Sequence, residues 1–163
     1  MGTIHYKTGD ATRPEGDGAK IICHVCNDIG GWGRGFVTAL SARWRMPEKQ
    51  FRGWHGGAAT HGPFELGAVQ FVPVEQDITV ANMIGQHGIH RGVDGSPPVR
   101  YEAIRAALAQ VAEFANEHQA SVHMPRIGAG LAGGDWRVIE GIIVEELCNR
   151  AVSVTVYDLP VRE

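Results

Sequence analysis

The sequence has few cysteines, no excess of basic over acidic residues and no long apolar run. Each of these absences argues against a class of protein. Three cysteines among 163 residues are too few for a disulfide scaffold. A net charge of −3 argues against a protein that holds nucleic acid through bulk positive charge. No apolar run approaches the length of a membrane span, and no signal peptide opens the chain. We therefore expect a cytoplasmic protein with no membrane partner.

The residues that often bind metals or carry out redox chemistry are spaced unfavourably for either role. Cys23 and Cys26 form a C-x-x-C pair, but on an apolar run that is typical of a strand, whereas a redox motif needs a strand-to-helix turn. Alternation along a strand directs these two thiols to opposite faces. Four histidines lack the short spacing of ligand pairs, and they are His55, His61, His87 and His90. We expect no metal site and no cofactor.

Glycine, by contrast, is abundant at 22 residues, and much of it lies in two loops. One loop, Gly30–Gly35, follows an apolar stretch, and the other contains glycines 128, 130, 133 and 134. Glycine lets bare backbone N–H groups approach an anion because no Cβ intervenes. A following helix adds unpaired N–H donors and partial positive charge. Two such loops predict an extended ligand with a diphosphate in its middle.

Apolar periodicity predicts alternating strands and helices. The predicted strands are Met1–Lys7, Lys20–Cys26, Gly67–Val74, Ile78–Ile84, Ser121–Pro125 and Val152–Tyr157. The predicted helices are Phe36–Arg45, Pro47 to Trp54, Arg100–His118 and Trp136–Arg150. This order indicates a single α/β/α three-layer domain over residues 1–163 with a mixed or parallel central sheet. A long irregular segment, Gly85–Val99, is of a kind that is often functional.

The spacing Gly128-x-Gly130-x-x-Gly133 also matches the dinucleotide-binding fingerprint. Asp158, at the end of the next strand, stands near the place of a ribose-binding carboxylate. The predicted helix, however, begins near Trp136, after an extra Gly134 and Asp135, rather than on the third glycine. An oxidoreductase is therefore the weaker reading, although both readings place a diphosphate on this loop.

Several motifs together resemble the macro domain, the ADP-ribose-binding fold. The resemblance is to the bacterial members of a branch that includes the terminal ADP-ribose protein glycohydrolase and the ADP-ribose 1″-phosphate phosphatase. It covers nearly the whole chain, and MPRIGxGL together with GWGxG is the specific part. The matching motifs are GDAT at Gly9–Thr12, HVCNDIGGWGRGF at His24–Phe36, ANMIGQ at Ala81–Gln86, RYEAI at Arg100–Ile104, MPRIGAGLAGGDW at Met124–Trp136 and TVYD at Thr155–Asp158.

The resemblance implies roles for these positions. Asp10 matches the carboxylate that accepts from the adenine amino group, Asn27 matches the contact to the distal ribose, and Ile127–Ala132 matches the diphosphate loop. The implied ADP-ribose contacts are Gly9, Asp10, Ala11, Asn27, Gly31, Trp32, Gly33, Arg34, Gly35, Arg126, Ile127, Gly128, Ala129, Gly130 and Leu131.

Local chemistry leaves other roles open for four of these side chains. Asp10 and Asn27 are both common in turns that they cap themselves. Trp32 could cover a sugar face or anchor its loop in the core. Arg34 could offer its charge to a phosphate or remain solvated.

The chain departs from this branch where the glycohydrolase has a catalytic lysine and aspartate. Gln86 and Ala132 stand there, and neither supports a lysyl mechanism. The candidate catalytic residues are therefore Asn27, Gln86 and Asp135, although Asp135 is also suited to cap the helix at Trp136. His87 and His90 either serve acid–base chemistry or lie on the surface.

The resemblance implies a monomer that hydrolyses mono-ADP-ribose from modified acidic side chains of proteins. An ADP-ribose 1″-phosphate phosphatase and a non-catalytic reader remain alternatives. The expected partners are ADP-ribose and ADP-ribosylated proteins, with ADP-ribosylated nucleic acid as a further alternative.

Overall fold

Six strands of the described chain, residues 3–58 and 62–160 of a computed structural model, form one mixed sheet. The strands are β1 (Ile4–Thr8), β2 (Lys20–Asn27), β3 (Val69–Glu75), β4 (Ile78–Gln86), β5 (Ser121–Met124) and β6 (Val154–Asp158). The helices are α1 (Phe36–Arg43), α2 (Met46–His55), α3 (Tyr101–His118) and α4 (Trp136–Glu146), and a 3-10 turn follows at Cys148–Arg150.

The strand order is β1-β6-β5-β2-β4-β3. Every neighbouring pair is parallel except β3 and β4, which form an antiparallel hairpin at one edge. The carboxyl ends of the five parallel strands therefore meet along one edge of the sheet. The loops that follow β1, β2, β4 and β5 all emerge there.

Alternation along β2 separates two apolar cores, one on each face of the sheet. Ile21 and Cys23 pack with α3 and α4, whereas Ile22 and Cys26 pack with α1 and α2. The predicted three-layer architecture is confirmed, as is the opposite orientation of the two thiols. Burial raises the pKa of both Cys23 and Cys26, which keeps them protonated and unreactive.

A buried polar network ties the second core, that of α1 and α2, to the sheet. His24 Nε2 lies 2.5 Å from Asn82 Oδ1, and Asn82 Nδ2 donates to Gln70 Oε1 and to the Pro47 carbonyl. Gln70 Nε2 in turn donates to the carbonyl of Gln50 in α2. Desolvation lowers the pKa of His24 to about 4, so its ring is neutral near pH 7.

Several element ends differ from the sequence-based expectations. The last helix was expected to reach Arg150, but α4 ends at Glu146, and the tighter 3-10 turn Cys148–Arg150 follows it. The expected β4 ended at Ile84, but the strand continues to Gln86. Met1, Gly2 and His61 lie outside the described residues.

No helix within residues 3–58 and 62–160 is both long enough and apolar enough to cross a bilayer.

Candidate functional site

The two glycine-rich loops follow β2 and β5, which are adjacent in the sheet. The helix after β2, α1, packs on one face, whereas the helix after β5, α4, packs on the other. The chain thus turns in opposite directions from two neighbouring strands. Such a switch point opens a crevice at the carboxyl ends of the strands, where ligands of open α/β sheets bind.

The loop after β5 presents bare backbone to this crevice. Ile127 is buried and anchors the loop, while Gly128 adopts a φ of 71°, which favours glycine. Gly133 and Gly134 donate their N–H groups back to the carbonyls of Gly130 and Gly128, which closes the turn. Within the described residues, the N–H groups of 130–132 donate to no protein group. Three successive N–H groups without a protein acceptor suit a diphosphate.

The loop after β2 faces this turn. A side chain built on Gly35 would approach Leu131 Cδ1 to 3.8 Å, so the two loops form opposite walls of one crevice. Gly35 is the N-cap of α1 with a φ of 76°, and no side chain caps that helix. Its first N–H groups and the partial positive charge of the helix N-terminus are therefore available at the crevice.

The N-terminus of the other helix, α4, is partly occupied by a side chain of the protein itself. The N-terminus of α4 was expected to offer its donors to the diphosphate, but Asp135 caps it by accepting from the N–H of Arg137 at 2.9 Å. Gly133 and Gly134 also separate that helix from the free donors. The helix N-terminus without a side-chain cap at this crevice is therefore that of α1.

Asn27 organises the loop after β2. Its Oδ1 accepts from the N–H groups of Ile29 and Gly31, and its Nδ2 donates to the Gly31 carbonyl at 3.1 Å. The side chain is buried, with 8% exposed. One N–H of its amide remains for a ligand. The predicted ribose contact thus also holds the loop that is expected to surround the ribose.

The expected adenine side lies at the opposite end of the same edge. Asp10 Oδ1 accepts from the N–H and the hydroxyl of Thr12, as the turn alternative predicted. The N–H of Gly9 donates to the Asp158 carbonyl. Arg126, next to the diphosphate loop, forms a two-pronged ion pair with the Asp158 carboxylate at 2.8 and 3.0 Å. Loops from β1, β5 and β6 are thus joined beside the crevice.

Trp32 does not offer its ring to a sugar. It is 7% exposed, packs against Phe51 and the edge of His24, and donates its indole N–H to Ser41 Oγ. The ring anchors the loop in the core, which is the second of the two alternatives that the sequence left open for Trp32. Arg34, in contrast, is exposed at the rim.

The other candidate catalytic residues lie at the same edge. Gln86 is half-buried at the end of β4, beside Asn27 in the register of β2, and its Nε2 donates to the Gly88 carbonyl. Asp135 is exposed, and its Oδ1 is engaged as the cap of α4. Gln86 therefore lies next to the Asn27 loop, while Asp135 lies beyond the diphosphate loop.

The structure adds one pair to this edge that sequence reasoning did not assemble. Asp28 Oδ2 lies 2.7 Å from His87 Nδ1, and its Oδ1 accepts from the N–H of Gly88 at 2.8 Å. Burial disfavours the Asp28 carboxylate, but the hydrogen bonds from Gly88 and His87 outweigh it and lower the pKa of Asp28. The two residues are 59 positions apart, so only the pairing of β2 with β4 unites them.

Within residues 3–58 and 62–160, no group of three histidine, cysteine or acidic side chains is placed to hold a metal ion.

No family model matches the chain. Among solved structures, a macrodomain protein from Streptomyces coelicolor is 55% identical, with a TM-score of 0.84 over 95% of this chain and 98% of that one. The chain belongs to the macrodomain family. A protein of unknown function from Bacteroides thetaiotaomicron is 57% identical to this macrodomain, with a TM-score of 0.93 over 97% of this chain and 99% of that one.

Curated relatives are more distant or much longer. The chromodomain-helicase-DNA-binding protein 1-like of Danio rerio is 32% identical over 94% of this chain, and the chain spans only 15% of that protein. The Mus musculus protein of the same name is 30% identical, and the chain spans 18% of it. The ADP-ribose 1″-phosphate phosphatase of Saccharomyces cerevisiae is 22% identical over 98% of this chain and 100% of that protein. Thermosipho africanus DarTG, solved in complex with ADP-ribose, shares the fold with a TM-score of 0.67 at 15% identity, over 88% of this chain and 38% of that one.

Proposed function

We propose that this macrodomain binds ADP-ribose and hydrolyses mono-ADP-ribose from modified acidic side chains of proteins. The observation that carries the proposal is the crevice at the switch point. It is walled by the free N–H groups of residues 130–132 and by the uncapped start of α1. Both walls offer dipoles rather than full charges, which suits a diphosphate in a protein whose net charge is −3.

ADP-ribose suits this edge of the sheet because different groups of the protein lie on the two sides of the proposed diphosphate position. The turn of Asp10 and the Arg126–Asp158 pair lie on the side assigned to adenine. The Asn27–Gly35 loop and Gln86 lie on the side assigned to the distal ribose. Among relatives, the yeast phosphatase takes by name a derivative of this ligand, and DarTG was solved with ADP-ribose, which supports the assignment.

The chemistry proposed is cleavage of the ester between the anomeric carbon of the ribose and a carboxyl group. An acyl leaving group departs readily as a carboxylate, through an oxocarbenium-like transition state. Positioning of the ribose and of an attacking water supplies much of the rate. We assign ribose positioning to Asn27 and Gln86. Asp135 caps α4 through Oδ1 and lies beyond the diphosphate loop, so it is the weakest of the three candidates.

A protein carrying mono-ADP-ribose on glutamate tests the proposal. We expect free ADP-ribose to be released, and chromatography measures it. Release of orthophosphate from ADP-ribose 1″-phosphate, with no action on the modified protein, would instead support the phosphatase suggested by the yeast relative. Binding without turnover of either compound would identify a reader, which the glutamine and alanine at positions 86 and 132 make a real alternative.

A further inference from the structure

In the Asp28–His87 pair, a half-buried carboxylate holds the ring of an exposed histidine. The Asp28 carboxylate is 17% exposed and is fixed by two donors, the Gly88 N–H and the His87 ring. The His87 ring is 64% exposed, yet its Nδ1 is held 2.7 Å from that carboxylate. An exposed histidine that is oriented by a half-buried carboxylate is the arrangement of a positioned acid–base group.

The turn that carries His87 is fixed on several sides. The His87 N–H donates to the Pro98 carbonyl, and the carbonyl of Gly88 accepts from Gln86 Nε2. Val99 pairs with Gln86 and donates its N–H to the carbonyl of Ala132, the last residue with a free donor in the diphosphate loop. This turn is thus built onto both the Asn27 strand end and the diphosphate loop, where the distal ribose is expected.

The hydrogen bond to the carboxylate also sets the tautomer of His87. An ionised Asp28 only accepts, so the Nδ1 of His87 carries the proton and the Nε2 of the neutral ring keeps a free lone pair. The other groups that contact this turn, Gln86 and Pro98, are uncharged. The loop's charged Arg91 and Asp94 are engaged with the Gly95 carbonyl and with Ser96.

We propose that His87 is the general base of the hydrolysis and that Asp28 is its positioning residue, an inference that rests on the proposed function. His87 Nε2 takes a proton from water as the water oxygen bonds to the anomeric carbon. The bond between that carbon and the acyl oxygen breaks, and its electrons leave with the substrate carboxylate. The proton then passes from His87 to solvent. This base needs neither the lysine nor the aspartate that positions 86 and 132 lack.

The test is turnover of a glutamate-linked ADP-ribosyl protein by His87→Ala and Asp28→Asn, with ADP-ribose affinity measured alongside by calorimetry. We expect kcat to fall by about 100-fold or more in both variants, within the range for loss of a general base. ADP-ribose affinity should stay within about threefold of wild type, because neither residue lies on the diphosphate walls. His90→Ala removes another exposed histidine of the same loop and should leave turnover unchanged.

Chemical rescue separates a base from a structural role. Added imidazole should restore part of the turnover of His87→Ala, because the ring site is open to solvent and Asp28 remains to orient the guest. In Asp28→Asn the amide NH2 donates to His87 Nδ1, so the ring proton moves to Nε2 and that atom can no longer accept one. Imidazole should therefore not rescue this variant. If both variants keep kcat within threefold of wild type, or if imidazole gives no rescue, the inference is overturned. If wild-type protein binds but cleaves no ester, it is the proposed function that fails.

Discussion

Gly130→Glu should abolish ADP-ribose binding without unfolding the protein. A side chain at Gly130 would meet no described atom within 4 Å, and its backbone does not require glycine. The new side chain therefore has room without disturbing the core, and we expect its carboxylate to lie in the crevice beside the free N–H groups. It takes the space of the diphosphate and repels its charge.

The electrostatic part of this loss follows from Coulomb's law. Two unit charges 4 Å apart repel by about 1 kcal/mol in water and by about 4 kcal/mol at the effective dielectric constant of a protein surface. A loss of this size weakens binding by about fivefold to 1,000-fold before any steric clash is added. Gly130→Gln, which has the same shape without the charge, isolates the steric part. We therefore expect a clear order of affinity: wild type, then Gly130→Gln, then Gly130→Glu.

Calorimetry with ADP-ribose measures these affinities, and thermal unfolding checks the fold. Gly141→Glu is the matched control, because Gly141 lies exposed on α4 with equal room for a side chain and the net charge changes equally. It should bind ADP-ribose like wild type. Wild-type affinity in a folded Gly130→Glu would refute the placement of the diphosphate on residues 130–132.

Three further predictions concern the loops and the core. Gly134→Ala would bring a Cβ within 2.6 Å of the Gly128 carbonyl oxygen. It should therefore lower the free energy of unfolding, measured in urea, by about 1–3 kcal/mol. Unchanged stability would contradict the tight turn. Asn27→Ala leaves the N–H groups of Ile29 and Gly31 without their side-chain acceptor. It should therefore lower the free energy of unfolding by about 1–3 kcal/mol and weaken ADP-ribose binding measured by calorimetry. Wild-type values for both stability and affinity would remove Asn27 from the site. The pKa of His24 is about 4 when folded but about 6.5 when unfolded, so the stability from its neutral ring is present above pH 6.5 and falls by about 2 kcal/mol by pH 5, as the unfolded chain takes up the proton. His123, whose pKa burial also lowers to about 4, adds to the loss over the same pH range. Urea midpoints between pH 7.5 and 5 measure this loss, and a flat profile would contradict a buried neutral ring.

Local patterns in the sequence were enough to predict the order of strands and helices and the glycine-rich turn after β5. The alternation along β2 correctly predicted thiols on opposite faces, and the spacing of glycines correctly predicted an open turn after β5. These features depend on neighbours within a few residues, so local chemistry determines them. The cap at Asp135 is of the same kind, since an aspartate before a helix accepts from its first N–H groups.

The remaining features depend on contacts between distant segments. The sequence could not show that β2 lies beside β5, so it did not indicate that the start of α1, which has no side-chain cap, lies at the crevice. The Trp32 ring could not be assigned until α2 was seen to pack on it through Phe51. Asp28 and His87 are joined only through the pairing of β2 with β4, so the sequence could name His87 as an acid–base candidate but could not give it a partner.

The most direct measurement is an amide-resolved NMR titration of the protein with ADP-ribose. The account predicts that the largest shifts fall on the N–H groups of Gly130, Leu131 and Ala132 and on the first turn of α1, and that Gly130→Glu abolishes them. Shifts confined to other surfaces, or none at millimolar ligand, would contradict the claim that backbone donors at the junction of β2 and β5 hold a diphosphate.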